Sequence, residues 1–261
     1  MKGEYVLAVD SSTSVGWVTL ARIVEGLSVV EVLAERSINA FSHAEALLPA
    51  IHAVLSDHSI SAKDLSLLVF GDGPGSFTGL RIGSSVLAGI AFGTSVKLVG
   101  VASHVGFACA YAMKLPLVDM CPLHIQVFSN GGEEVVFSSF RITTSSVRVC
   151  QCLSLILMES VKDWDSLVVD LNTIMLGTEC LWKARELPSS IQPIDPKTLP
   201  ISTGLIFGLY ARDIPSKVEY QPEGDFLDAG NRSFVSDTTN GIFIRYGQPI
   251  KAQTLYQRRG W

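Results

Sequence analysis

Leu65-Ser66-Leu67-Leu68-Val69-Phe70-Gly71-Asp72-Gly73-Pro74-Gly75-Ser76-Phe77-Thr78-Gly79-Leu80-Arg81-Ile82-Gly83 is the stretch on which the reading of this chain turns. Its first six residues are a short apolar run of buried-strand type, and Gly71 to Gly75 form a glycine turn. From Ser76 to about Phe92 the pattern is helical, so the stretch reads as strand, turn and helix. A glycine turn opening a helix offers amides to a phosphate. The conventional forms of that site are missing. No Gly-Lys-Ser/Thr run follows, Ser76 stands where a dinucleotide fingerprint has its third glycine, and no Asp or Glu occurs between Asp72 and Asp119 to take a ribose. A nucleophile elbow at Ser76 would need glycines where Pro74 and Thr78 stand. The favoured role of Ser76 is a helix N-cap.

Working outward, Tyr5–Asp10, Val15–Val24 and Leu27–Arg36 read as a meander of three strands, separated by Ser11-Ser12-Thr13-Ser14 and Glu25-Gly26. Ser42-His43-Ala44-Glu45 is a capping box that opens a helix to about Ser56, with Pro49 expected to kink it. That helix has an apolar stripe at Ala44, Leu47, Leu48, Ile51 and Leu55, and a small-residue face at Ala46, Ala50 and Ala53. In the helix after the glycine turn, Gly79 and Gly83, then Gly89 and Gly93, recur at spacing four. They would let a second helix approach closely, from inside the fold or from a partner. Val96–Val101 reads as a strand, and Ser103 caps a helix to about Met113.

The second half repeats the order: strands near Leu117–Ser129, Glu133–Ile142 and Ser146–Cys152, then a helix near Leu153–Lys162. Leu171–Leu176 reads as a strand and Thr178–Glu186 as a short helix. Four prolines from Pro188 to Pro200 mark a connector to a helix over Ile201–Arg212, and Gln221–Asn240 reads as a long loop before a strand at Gly241–Tyr246. Strands alternating with helices make this an α/β chain with parallel members, and the repeated order points to duplication.

Of 261 residues, 48% are apolar and only 17% charged, with mean hydropathy +0.34, which excludes disorder and implies a dry surface partly covered by another chain. Residues 1–114 carry 7 basic and 9 acidic side chains and residues 115–261 carry 13 and 16, so neither half has the basic footprint of an autonomous polyanion binder. The apolar stretches Ile82–Val96 and Leu98–Met113 are cut by Lys97 and are too short for a membrane span. The start shows no cleavage-site pattern, and a cytoplasmic protein is expected. Cys109, Cys121, Cys150, Cys152 and Cys180 are scattered and odd in number, so free thiols are expected. His43, His52, His58, His104 and His124 include no metal-ligand pair. Asp10, ending the first strand, either closes an Asx turn, the favoured reading, or orients a metal-bound water beside phosphate.

The run Gly73-Pro74-Gly75-Ser76-Phe77-Thr78-Gly79-Leu80-Arg81-Ile82-Gly83 resembles the hallmark of TsaB (YeaZ)-type proteins. Leu7-Ala8-Val9-Asp10-Ser11-Ser12-Thr13 resembles that family's opening strand and His43–Ile51 its first helix, with agreement over residues 5–105. Beyond that, Glu134-Val135 survives while the family's Asp-Ala-Arg element is absent, and Ile242-Phe243-Ile244-Arg245 resembles its closing strand. The resemblance implies a two-lobed α/β fold of the actin, hexokinase and Hsp70 (ASKHA) type, with mixed sheets and flanking helices. It implies an N-terminal lobe over residues 1–103 and a more divergent one over 104–261, with helix 201–212 packing back on the first.

It further implies a non-catalytic partner in making threonylcarbamoyladenosine on tRNAs that read ANN codons, with no catalytic or metal-binding residues of its own. The partners implied are a TsaD-type catalytic subunit and a TsaE-type ATPase. tRNA would be met only through the complex, ATP or ADP held only in the assembly, and the isolated chain could be either a homodimer or a monomer. Asp10, Ser12 and Thr13 would be a vestigial phosphate hairpin. The partner surface would lie on the helices Ser42–Ser56 and Ser76–Phe92, at Ala46, Leu47, Ala50, Ile51, Ala53, Gly79, Gly83, Val86 and Leu87, with Ala50 exposed in the monomer. A small-molecule kinase of the same superfamily, with Asp10 at the phosphates, and a peptidase are the alternatives.

Overall fold

In the computed structural model the described residues are 3–24, 29–39, 43–115, 123–131, 134–144, 150–161, 173–183, 186–210 and 235–237. The first three strands, β1 (Gly3–Asp10), β2 (Val15–Val24) and β3 (Val29–Asn39), form the expected antiparallel meander. Helix α1 (His43–Asp57) carries the chain across one face to β4 (Leu65–Gly71), which pairs parallel to β1. Helix α2 (Phe77–Thr94) then leads to β5 (Lys97–Val101), parallel to β4, and α3 (Ser103–Ala112) follows on the opposite face. Ser42 of the expected capping box lies outside the described residues.

The second sheet is built from β6 (Leu123–Gly131), β7 (Glu134–Thr144), β8 (Cys150–Val161), β9 (Thr173–Gly177) and β10 (Ile191–Pro193), with the short helix α4 (Glu179–Trp182) between the last two. Helix α5 (Ile201–Tyr210) follows, and β11 (Val235–Asp237) adds antiparallel to β5. The strand orders are β11-β5-β4-β1-β2-β3 and β10-β9-β6-β7-β8. Setting β11 aside, the two sheets share one order and one pattern of parallel and antiparallel pairs. The duplication read from the order of elements is therefore visible in the topology, and the expected α/β fold with mixed sheets and flanking helices is the one found.

Two expectations are corrected. The helix expected over Leu153–Lys162 is strand β8, because Leu153, Leu155 and Ser160 fall into antiparallel register with Ile142, Phe140 and Val136 of β7, and ladder pairing overrides a weak helical pattern. The loop expected over Gln221–Asn240 contains β11. The expected strand Gly241–Tyr246 lies outside the described residues.

Period-two alternation sorts the apolar side chains into layers. Val6 and Ala8 of β1 face α3, α5 and the second sheet, together with Val69, Val99, Ile125, Val127 and Ile142. Leu7 and Val9 face α1 and α2 on the other side, with Leu47, Ile51, Leu68, Phe70 and Leu87. The helices α3 and α5 lie between the sheets and touch backbone to backbone, since a Cβ at Gly204 would overlap the Gly106 carbonyl oxygen. Cys109 is buried in this central layer and behaves as a small apolar residue. Among the described residues no helix is long and apolar enough to cross a membrane.

Candidate functional site

The loop Ser11–Ser14 between β1 and β2 sits where the two sheets face each other, and three of its four polar residues are buried. Buried polar groups must find partners, and these find them within the chain. Asp10 Oδ1 accepts the Ser12 amide at 3.0 Å and the Ser12 hydroxyl at 2.6 Å, which is the Asx turn. Asp10 Oδ2 accepts the Ser103 hydroxyl at 2.8 Å, and Ser103 Oγ in turn receives the Gly73 N–H at 3.2 Å. Thr13 Oγ1 donates to the Val15 carbonyl at 2.8 Å. The N-cap of α3 is Ala102 rather than the expected Ser103, whose side chain is committed to Asp10.

The motif of residues 73–83 is the seat of this loop. Ser76 N–H donates to the Ser12 carbonyl at 2.7 Å, and the Ser11 hydroxyl donates to the Gly79 carbonyl at 2.7 Å. A Cβ at Gly75 would come within 2.5 Å of Ser12, one at Gly79 would overlap the Ser11 carbonyl oxygen, and one at Gly83 would overlap the Ser11 hydroxyl. Gly73, at φ 105°, holds a backbone conformation that other residues avoid, and the Gly73–Pro74 peptide is cis. Ser76 is the N-cap of α2, its Oγ accepting the Gly79 N–H at 3.2 Å. Of the motif's other side chains, Leu80 is buried and Ile82 packs against the core, while Phe77, Thr78 and Arg81 are exposed, with the Arg81 guanidinium 3.9 Å over the Phe77 ring.

Across from the loop, Glu179 stands in the first turn of α4 with only 6% of its surface exposed. Its Oε2 accepts the Ser14 N–H at 2.8 Å and its Oε1 pairs with the Lys183 ammonium. Burial pushes the Glu179 carboxyl up, but the hydrogen bonds from Lys183 and Ser14 outweigh it and hold the group below its ordinary value. Its anchorage is firm: Thr178 N–H donates to the Phe128 carbonyl at 2.9 Å, and the Thr178 hydroxyl bonds Ser129 at 2.9 Å. Ser129 in turn bonds His104 Nε2 at 2.7 Å, and His104 Nδ1 bonds Ser138 at 2.8 Å. Neither Glu179 nor His104 could be singled out from sequence, because a Glu in a first helical turn and a His in an apolar helix are both ordinary.

The nine residues expected at the partner surface separate into two groups. Leu47, Ala50, Ile51, Gly79, Gly83 and Leu87 are buried inside the chain, while Ala46, Ala53 and Val86 are half-buried. Ala50, expected to be exposed, is 7% exposed at the floor of a groove of about 510 Å³ that α1 forms with Arg36 and Ile38 of β3. The outer stripe of α2 instead runs through Phe77, Arg81, Ser85, Gly89, Phe92 and Gly93 at helical spacing, with Leu48 exposed on neighbouring α1. A Cβ at Gly89 or Gly93 would meet open space, whereas Phe92 is 95% exposed. Among the described residues no group of three or more His, Cys, Asp or Glu is placed to hold a metal ion.

Residues 33–152 match the family model described as TsaD, tRNA N6-adenosine threonylcarbamoyltransferase. The chain is 33% identical over 110 residues to the tRNA threonylcarbamoyladenosine biosynthesis protein TsaB of Haemophilus influenzae, covering 42% of this chain and 44% of that protein. It is 38% identical over 61 residues to the TsaB of Escherichia coli (23% and 26%), and 32% identical over 98 residues to that of Bacillus subtilis (38% and 41%). The aligned stretch thus spans less than half the length of these curated relatives. In fold, the chain is similar to YeaZ from Pseudomonas aeruginosa with a TM-score of 0.56 at 20% identity, covering 78% of this chain and 90% of that one. A second structure, described as similar to peptidase YEAZ from Pseudomonas aeruginosa, gives 0.58 at 19% identity, covering 80% and 91%. The chain is thus similar to TsaB proteins in sequence over part of its length, and to YeaZ structures in fold over about four-fifths of it.

Proposed function

We propose that the chain serves threonylcarbamoyladenosine formation on tRNA as a non-catalytic partner subunit, docking a TsaD-type protein through the outer faces of α1 and α2. The observation that carries this reading is the α2 stripe. Two phenylalanines, Phe77 and Phe92, stand exposed near either end of a face whose middle is Ser85 and Gly89, beside exposed Leu48. An aromatic left in water forgoes roughly 1.5–3 kcal/mol of burial, and small residues between such anchors let a partner helix lie close. The same face would make the homodimer of the isolated chain. A TsaE-type ATPase joins the assembly, ATP or ADP is held only there, and tRNA is met through it.

The non-catalytic role is supported by the loop beside Asp10. Its carboxylate accepts from Ser12 and Ser103, and Thr13 is spent on Val15, so the polar atoms of the expected phosphate hairpin serve the chain's own fold. The test is association with the TsaD-type protein of the same organism, followed by sedimentation, for the wild type and for Phe92→Glu. The variant should keep the wild-type melting temperature and lose association at least tenfold. Unchanged association would move the interface off α2. Steady ATP hydrolysis by the isolated chain, abolished in Asp10→Ala, would replace the partner reading with a kinase-like one.

A further inference from the structure

The loop Ser11–Ser14 is gripped from both sides. On one side it is keyed into the first turn of α2, through Ser76 N–H to the Ser12 carbonyl and Ser11 Oγ to the Gly79 carbonyl, with Gly75, Gly79 and Gly83 leaving no space between. Interfaces packed to that density move as one body. On the other side, Glu179 of α4, 165 residues away in sequence, accepts the Ser14 N–H. The base of Glu179 is fixed to β6 through Thr178 and onward to α3 through Ser129 and His104. A rigid linkage therefore runs from the second sheet through one carboxylate to the helix that presents Phe77, Arg81 and Phe92.

We propose that Glu179 is a positioning residue: by holding the Ser14 amide it locks the loop and the first turn of α2 against the second half of the chain, and so sets the pose of the stripe offered to a partner. The consequence for a partner rests on the reading of α2 given above, whereas the lock itself does not. A buried carboxylate on a backbone amide is a strong, directional bond, and it is lost if the side chain is shortened. Glu179→Ala removes the acceptor. Glu179→Asp keeps the charge but falls short of Ser14 by one methylene. Glu179→Gln keeps an acceptor oxygen of the right reach, and Lys183, more than half exposed, can turn its ammonium to water.

Two measurements on the full chain decide the matter: hydrogen exchange at the Ser14 amide, and association with the TsaD-type protein. In Glu179→Ala and Glu179→Asp the Ser14 amide should exchange about tenfold faster or more, while the amides of the β1 and β2 ladder keep their wild-type rates, and Glu179→Gln should restore protection. Association should weaken about fivefold in the Ala and Asp variants and recover in Gln. Wild-type exchange at Ser14 in Glu179→Asp would overturn the lock. Faster exchange with unchanged association would overturn its role in posing α2. If the wild type itself does not associate, the partner reading fails and this role fails with it, while the exchange rates still decide the lock.

Discussion

The four glycines of α2 form two pairs at spacing four on one helix, yet alanine should act on them in opposite directions. At Gly89 a Cβ meets nothing within 4 Å, so Gly89→Ala collects only the difference in helix propensity, about 0.8–1 kcal/mol of added stability. For a chain of this size that is roughly 2–4 °C in Tm. Gly93 lies in the last turn, where fraying makes the gain smaller. At Gly83 the obstacle is the Ser11 hydroxyl, which can rotate away at the loss of its bond to the Gly79 carbonyl. The propensity gain and that loss, each about 1 kcal/mol, nearly cancel. At Gly79 the obstacle is the Ser11 backbone itself. The loop must shift and break both the Ser76 to Ser12 and the Ser11 to Gly79 bonds, so overpacking of about 1–3 kcal/mol and two bonds of about 1 kcal/mol outweigh the propensity gain by about 2–4 kcal/mol. Urea unfolding at constant m-value gives the order Gly89→Ala, wild type and Gly83→Ala together, then Gly79→Ala. A Gly79→Ala protein as stable as wild type would refute the packing of the loop on α2. A destabilised Gly89→Ala would show that this face is already covered.

Ser76→Ala should cost about 1 kcal/mol in the same unfolding assay, the loss of one N-cap. Ala50→Arg should lower the melting temperature before any effect on association is read, because the site is buried against Ile38 and the core, which makes Phe92→Glu the cleaner probe of the partner face. His104→Phe should cost about 2–4 kcal/mol by leaving the Ser129 and Ser138 hydroxyls without their ring partner, measured by denaturant unfolding. For pH, Glu179 is held below its ordinary value near 4.5, so its contribution to stability is fully present above that pH and is lost as pH falls through the lower folded value. The difference in stability between wild type and Glu179→Gln should therefore be constant from pH 8 to pH 5 and shrink below about pH 4.5; a constant difference through pH 3 would contradict the assigned bonds.

Much of this protein was determined locally. The period-two runs of β1 to β3, the strand, turn and helix unit around residues 65–92, and the N-cap at Ser76 are set by propensities and spacings within a few residues, and the structure places them as read. The sequence order also carried the duplication, because repeated element order fixes a repeated sheet topology. Tertiary structure decided what depends on residues far apart. Cys150–Val161 became a strand because β7 offers it a ladder, and β11 formed within a polar stretch because β5 has an open edge. Spacing showed that Gly79, Gly83, Gly89 and Gly93 lie along one helix, but only the arrival of Ser11, 68 residues before Gly79, made the first two internal and left the last two facing outward. Likewise nothing near Glu179 marks it out. Its role exists because the second sheet folds its first α4 turn against the Ser14 amide, and a single long-range hydrogen bond leaves no periodicity in the chain to be read.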